Sequence, residues 1–182
     1  MGPMHAVCSR AFFAALLALL VAVVPLRAQR VAVEAEHGLV TSAHELASRA
    51  GLEMLQRGGN AVDAAVATGL ALTVVYPFAG NIGGGGFMLV HLAAGNRDLV
   101  IDYRETAPAA ATRDMYVGPD GNVLTGANSS VAGWRASGVP GSVAGFALAL
   151  QKYGSGKLTW ADVCEPARRL AADRHLVPQA TA

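Results

Sequence analysis

Apolar positions along the chain fall into a few clear blocks. Leu46, Ala50, Leu52, Met54 and Leu55 recur at helical spacing, and Gly58-Gly59 supplies a stop. Ser42 to Glu45 has the form of a capping box, Glu45 standing three residues after Ser42. Asn60, with Asp63 in the first turn, predicts the start of a second helix over 61–75 that is apolar nearly all round. A helix of that kind is buried on most sides, so it is the expected spine of the domain. Tyr76-Pro77 ends it. Val31, Val33, Leu39 and Val40 suggest short strands before these helices. After a glycine-dense loop over 78–86, the residues 87–93 and 99–102 predict two strands of a hairpin.

Beyond the hairpin the signal is more broken. Residues 108–116 suggest a helical turn, Pro119-Asp120-Gly121-Asn122 a tight turn, and 126–138 an exposed loop. The Asn128-Ser129-Ser130 sequon in that loop carries little weight, because such matches are common by chance. Pro140-Gly141-Ser142 opens a helix to Tyr153, closed by Gly154. Thr159, with Asp162 three residues on, caps another that carries Trp160, Val163, Cys164, Ala167 and Leu170. Pro166 within it should kink the helix or displace one hydrogen bond. No repeat and no linker divides the 182 residues.

Composition fits one globular domain, with 53% apolar and 15% charged residues. Residues 1–28 have the form of an export signal: Arg10 closes a short basic region and Ala11 to Val24 is apolar. That run is shorter than the ~20 residues a bilayer span needs. Cleavage after Ala28 would leave a mature chain from Gln29, expected to be secreted or periplasmic, or membrane-associated if the leader is retained. Without Arg10 and Arg27, twelve Lys and Arg face thirteen acids. Such a balance offers no footprint for nucleic acid. Cys8 lies in the leader, so the mature chain keeps Cys164 alone, which excludes an intrachain disulfide. Cys164 sits within a helix pattern and is expected to be a packed apolar residue. His37, His44, His91 and His175 are scattered and suggest no metal cluster.

The run Gly83 to Gly86 raises the idea of a phosphate loop. It lacks the required spacing, and it leads from a helix into a strand, the reverse of loops that place an anion at a helix N-terminus. No Ser-His-Asp arrangement can be drawn. Asp102 and Glu105 are discounted as a glycosidase pair because their neighbouring positions diverge. Arg104, just past the second strand, has two readings: an ion pair with Asp102 or Glu105, or a planar fork that grips a carboxylate. Spacing alone favours the ion pair.

Several stretches together resemble the large subunit of the γ-glutamyltranspeptidases (glutathione hydrolases). They are Gly38-Leu39-Val40 through Ser48, Gly58-Gly59-Asn60-Ala61-Val62-Asp63-Ala64-Ala65-Val66-Ala67, Gly80 to Val90, and Ile101 to Pro108. Gly138-Val139-Pro140-Gly141-Ser142-Val143-Ala144-Gly145 and Trp160 to Ala171 follow in the same order. The resemblance covers nearly everything after the leader. It implies an α+β fold, part of the αββα sandwich of the N-terminal nucleophile hydrolases. It implies a precursor that cleaves itself, so that the N-terminal threonine of the small subunit attacks a γ-glutamyl amide with its own α-amino group as base. Glutathione and other γ-glutamyl compounds would be the substrates, and amino acids, peptides or water the acceptors; no cofactor or metal is implied. Arg104 matches the arginine that holds the substrate α-carboxylate, which reverses the preference for the ion pair. The glycine run then becomes a device for letting the Phe87 strand enter a crowded interior.

Two departures stand out. Asp173-Arg174 replaces the family's Asp-Gly, removing a favoured helix cap. No threonine here, Thr181 included, is identified as the nucleophile, so no catalytic residue is assigned in this chain. The chain is expected to be the N-terminal part of a proenzyme, inactive by itself. A cephalosporin-type acylase and a non-catalytic secreted module that binds γ-glutamyl compounds are the alternatives.

Overall fold

The computed structural model describes residues 32–173. The expected leader lies outside them. Residues up to Glu36 form a unit apart from the rest; of it, 32–36 are exposed and without regular structure. From His37 onward the described residues form four helices and one two-stranded sheet. The strands expected near Val33 and Leu39 are absent from the described residues. Among the described residues neither has a neighbouring strand to pair with, and instead Val40 lays its side chain on the helical core.

Helix α1 spans Glu45–Gln56. Its cap is His44, not Ser42: the His44 ring Nδ1 accepts the Leu46 N–H at 3.2 Å. His44 itself is extended, so helical dihedrals begin too late for Ser42 to reach the first turn. Ser42 Oγ donates to the His44 carbonyl at 2.8 Å, and Glu45 turns forward to pair with Arg49 at 2.6 Å. The helix ends as the glycines predict. Gly58, at φ 85°, and Gly59 return their N–H groups to the Leu55 and Met54 carbonyls at 3.0 and 2.9 Å. This satisfies two carbonyls that the helix end would leave bare.

Helix α2, Ala61–Val75, follows at once. Asn60 accepts the Val62 and Asp63 N–H groups at 2.9 and 3.1 Å, and Asp63 Oδ2 accepts the Asn60 N–H at 2.7 Å. The same buried carboxylate takes the Ser155 N–H at 3.0 Å, fastening a distant turn to the start of α2. Most of α2 is buried, by α1 on one side and by the two later helices on others. Burying side chains such as Val66 and Val75 contributes about 1.5–3 kcal/mol each.

Strands β1 (Phe87–Leu92) and β2 (Arg97–Asp102) pair antiparallel, with Phe87 opposite Asp102 and Leu92 opposite Arg97. The second strand starts at Arg97, two residues earlier than expected, because Gly95 and Asn96 turn the chain with φ of 84° and 44°. Met88, Val90, Leu99 and Ile101 face the helical core. The opposite face is open: Phe87, Leu89 and Val100 are 56%, 80% and 61% exposed. Residues of the hairpin thus alternate between the core and the open side.

Residues 108–116 form successive turns and no helix, whereas the turn at Gly121 forms as expected. Two short 3-10 turns, Gly126–Asn128 and Trp134–Ala136, shape the exposed loop. Helix α3, Ser142–Tyr153, closes at Gly154. Helix α4, Trp160–Ala172, carries the predicted capping box of Thr159 and Asp162. Pro166 lies buried inside it and, having no N–H, leaves the Asp162 carbonyl without its usual donor. Asp173 ends the helix in an extended conformation. Arg57 of the α1 cap pairs with Asp162, and Arg169 with Glu53 at 2.5 Å, which ties α1 to α4. Helices on one face of an antiparallel sheet make an α+β fold, one helical layer and two strands of an αββα sandwich among the described residues.

Candidate carboxylate-binding site

The hairpin ladder runs one pair past β2, and its end creates the site. Tyr103 N–H donates to the Gly86 carbonyl at 3.0 Å and Gly86 N–H returns to Tyr103 at 3.4 Å. Asp102 Oδ1 accepts the Arg104 N–H, which at the next position faces away from β1, at 3.0 Å. Two residues later, Thr106 and Val139 exchange backbone bonds of 3.3 and 2.8 Å. Arg104 and Glu105 are thus held from both sides. Tyr103 anchors the turn, its ring centred 5.6 Å from Phe146, and burial pushes its phenol pKa up.

The glycine run packs against this strand end. A Cβ on Gly85 would lie 2.8 Å from the Arg104 Cα and from the Glu105 backbone nitrogen. The Gly84 carbonyl accepts the Gly141 and Ser142 N–H groups at 2.9 and 3.0 Å, and Ser142 Oγ donates to the Asn81 carbonyl at 3.3 Å. The start of α3 therefore spends donors on the glycine loop. This makes the run structural, as expected, but the crowding falls at Gly84 to Gly86; Phe87 is over half exposed.

Arg104 makes the ion pair of the first reading through one nitrogen, and the second reading turns on the other two. Its Nε donates to Glu105 Oε2 at 3.0 Å. Asp102 meets only its backbone. Its guanidinium carbon lies 5.9 Å from the centre of the Phe87 ring, at the limit of a cation–π contact. Among the described residues Nη1 and Nη2 have no partner, and the side chain is 60% exposed. Such a pair can take a carboxylate through two parallel hydrogen bonds. Glu105 is held below the usual carboxylate range, first by its own backbone N–H, and also by the Arg104 charge and Nε–H and by the Gly85 N–H.

Other candidates take structural places. Cys164 is half-buried against the core, and burial pushes its thiol pKa up, which disfavours a thiolate nucleophile. His44 caps α1 and His91 pairs with Asp98 at 2.8 Å; His175 lies outside the described residues. A groove of about 960 Å³ beside α2 and β1 is largely apolar and does not include Arg104. The links from Gly84 to α3 and from Gly85 to Glu105 escaped sequence reasoning. The one signal for the first was a helix start at Pro140-Gly141-Ser142 with no polar cap at Gly141.

Comparison with known proteins places this arrangement. The family model described as Gamma-glutamyltranspeptidase matches residues 47–182. A glutathione hydrolase proenzyme of Pseudomonas sp. (strain A14) is 56% identical over 128 residues, which is 70% of this chain and 22% of that protein. The γ-glutamyltranspeptidase of Pseudomonas nitroreducens, solved in complex with L-DON, superposes with a TM-score of 0.74 at 41% identity, over 81% of this chain and 42% of that one. A cephalosporin acylase from Bacillus halodurans superposes with a TM-score of 0.70 at 30% identity, over 87% and 28%. The chain thus spans about a fifth of the length of the curated relative. On its motifs, its fold and these matches, it belongs to the γ-glutamyltranspeptidase family.

Proposed function

We propose that the protein carrying this chain cleaves γ-glutamyl amides, glutathione among them, and that Arg104 holds the α-carboxylate of the γ-glutamyl group. The observation that carries this reading is an exposed arginine, at a strand end held on both sides, whose Nη1 and Nη2 are unpaired among the described residues. The nucleophile would be the N-terminal threonine of a small subunit released from the same precursor. Its attack would give an acyl-enzyme that passes to water, an amino acid or a peptide. The apolar run at 11–24 supports export; N-terminal sequencing of exported protein should then begin at Gln29, and an intact Met1 would refute cleavage.

Arg104→Lys keeps the charge and loses the planar fork. A charge-assisted hydrogen bond contributes ~1.5–3 kcal/mol, so losing one should lower kcat/KM for γ-glutamyl substrates roughly ten- to a hundredfold. Self-cleavage should survive, because it needs no bound α-carboxylate. Wild-type kcat/KM in the fully processed variant would remove Arg104 from the site. The likeness to a cephalosporin acylase keeps a second reading in view. A glutaryl group carries the same terminal carboxylate and lacks the α-amino group, so Arg104 would serve either substrate. Parallel assays of the complete protein on glutathione and on glutaryl amides separate the two. The higher identity to the glutathione hydrolase favours the first.

A further inference from the structure

A guanidinium can meet a carboxylate side-on, through Nε and one Nη, or end-on, through both Nη groups. At Arg104 the side-on edge is already taken, since Nε–H points at Glu105 Oε2 at 3.0 Å. Glu105 is the better anchored partner. Its side chain is 33% exposed against 60% for Arg104. A Cβ on Gly138 would lie 2.9 Å from Glu105 Cβ, and one on Gly84 3.2 Å from Oε1, so backbone closes around both ends of the side chain. A long arginine side chain at a surface otherwise samples many rotamers, and a fixed partner on Nε removes most of them.

We propose that Glu105 is a positioning residue, which engages Nε of Arg104 and so presents Nη1 and Nη2 end-on to the substrate carboxylate. This rests on the carboxylate-gripping role of Arg104. The negative charge of Glu105 is secondary to its acceptor oxygen, because what the site needs from it is the direction of the fork.

The test uses the fully processed, full-length protein carrying this chain and a chromogenic γ-glutamyl anilide. Glu105→Ala should raise KM roughly tenfold, with a much smaller change in kcat. Glu105→Gln, which keeps an acceptor for Nε–H, should recover most of that loss. In an Arg104→Ala background, Glu105→Ala should add nothing further to KM, because there is no fork left to orient. Should Glu105→Ala fail to fold, Glu105→Asp replaces it: one methylene shorter, it cannot span from the Gly85 loop to Nε, and the same rise in KM is expected. Wild-type KM in either variant, an equal rise in the Arg104→Ala background, or a Gln variant as impaired as Ala would each overturn the proposal. Failure of the underlying reading looks different: Arg104→Ala itself would then show wild-type KM.

Discussion

Replacing one glycine of the Gly83 to Gly86 run by alanine separates packing from mere loop length. At Gly85 the added Cβ would sit 2.8 Å from the Arg104 Cα and the Glu105 nitrogen, and nearer still to the Tyr103 carbonyl oxygen. Ordinary contact begins near 3.4 Å, and the Tyr103 carbonyl oxygen is the closest atom met, so the two backbones must part by about 1 Å. Every atom met is main chain, and no side chain can rotate away. Overpacking of this kind costs about 1–3 kcal/mol. The strand end that yields is the one carrying Arg104. A misplacement of about 1 Å can cost on the order of a hundredfold in rate, so kcat/KM should fall roughly ten- to a hundredfold. Gly83→Ala is the control, its nearest neighbour being Asn81 Oδ1 at 3.8 Å. Gly84→Ala should fall between, since it meets the side chains of Asn81 at 2.7 Å and Glu105 at 3.2 Å. Urea unfolding and steady-state kinetics on the full-length variants measure both effects. If Gly85→Ala matches Gly83→Ala within about 0.5 kcal/mol and in kcat/KM, the packing argument is wrong.

Two further outcomes follow from the surface. The Thr159 hydroxyl and N–H, with Arg57, hold Asp162 down at about 2 from an ordinary 3.8. A carboxylate with a depressed folded pKa stabilises fully above its unfolded value and loses that contribution as pH falls through the folded one. Acid unfolding should therefore lose stability between about pH 4 and pH 2 in the wild type, and Asp162→Asn should flatten that part of the curve; superimposable acid limbs would refute it. Residues 29–182 expressed alone should self-associate through the open face of Phe87, Leu89 and Val100, with light scattering as the readout. A monomer with a sharp, cooperative thermal transition would show otherwise.

Helices were the legible part of this chain, because their signals are local. Asn60 with Asp63, Thr159 with Asp162 and the Gly58-Gly59 stop each act within a few residues, and each appears where the sequence puts it. Strands near Val33 and Leu39 were misjudged because apolar residues specify a strand only when a partner is present. The cap of α1 was misplaced because Ser42 had a competing local bond to His44. At the site, Arg104 was visible as a residue type in a motif, yet the division of its nitrogens was not. That division depends on Gly84, Gly85 and Gly138 closing around Glu105. These contacts join segments tens of residues apart, beyond the reach of any local pattern.

The junction between α1 and α2 carries a consequence for how the gene can change length. Connecting segments usually absorb insertions and deletions readily. Here the four residues 57–60 have no slack: Gly58 and Gly59 close one helix, and Asn60 opens the next with Asp63, which in turn holds Ser155. One extra residue would pull the stop away from the start and shift the Asp63 carboxylate off Ser155, the second of its two donors. The tips at Gly95 and Gly121, where an added Cβ would meet nothing, are the places where extra residues can be housed. Length variation should therefore collect at those exposed tips, while this buried-in-function corner keeps its count.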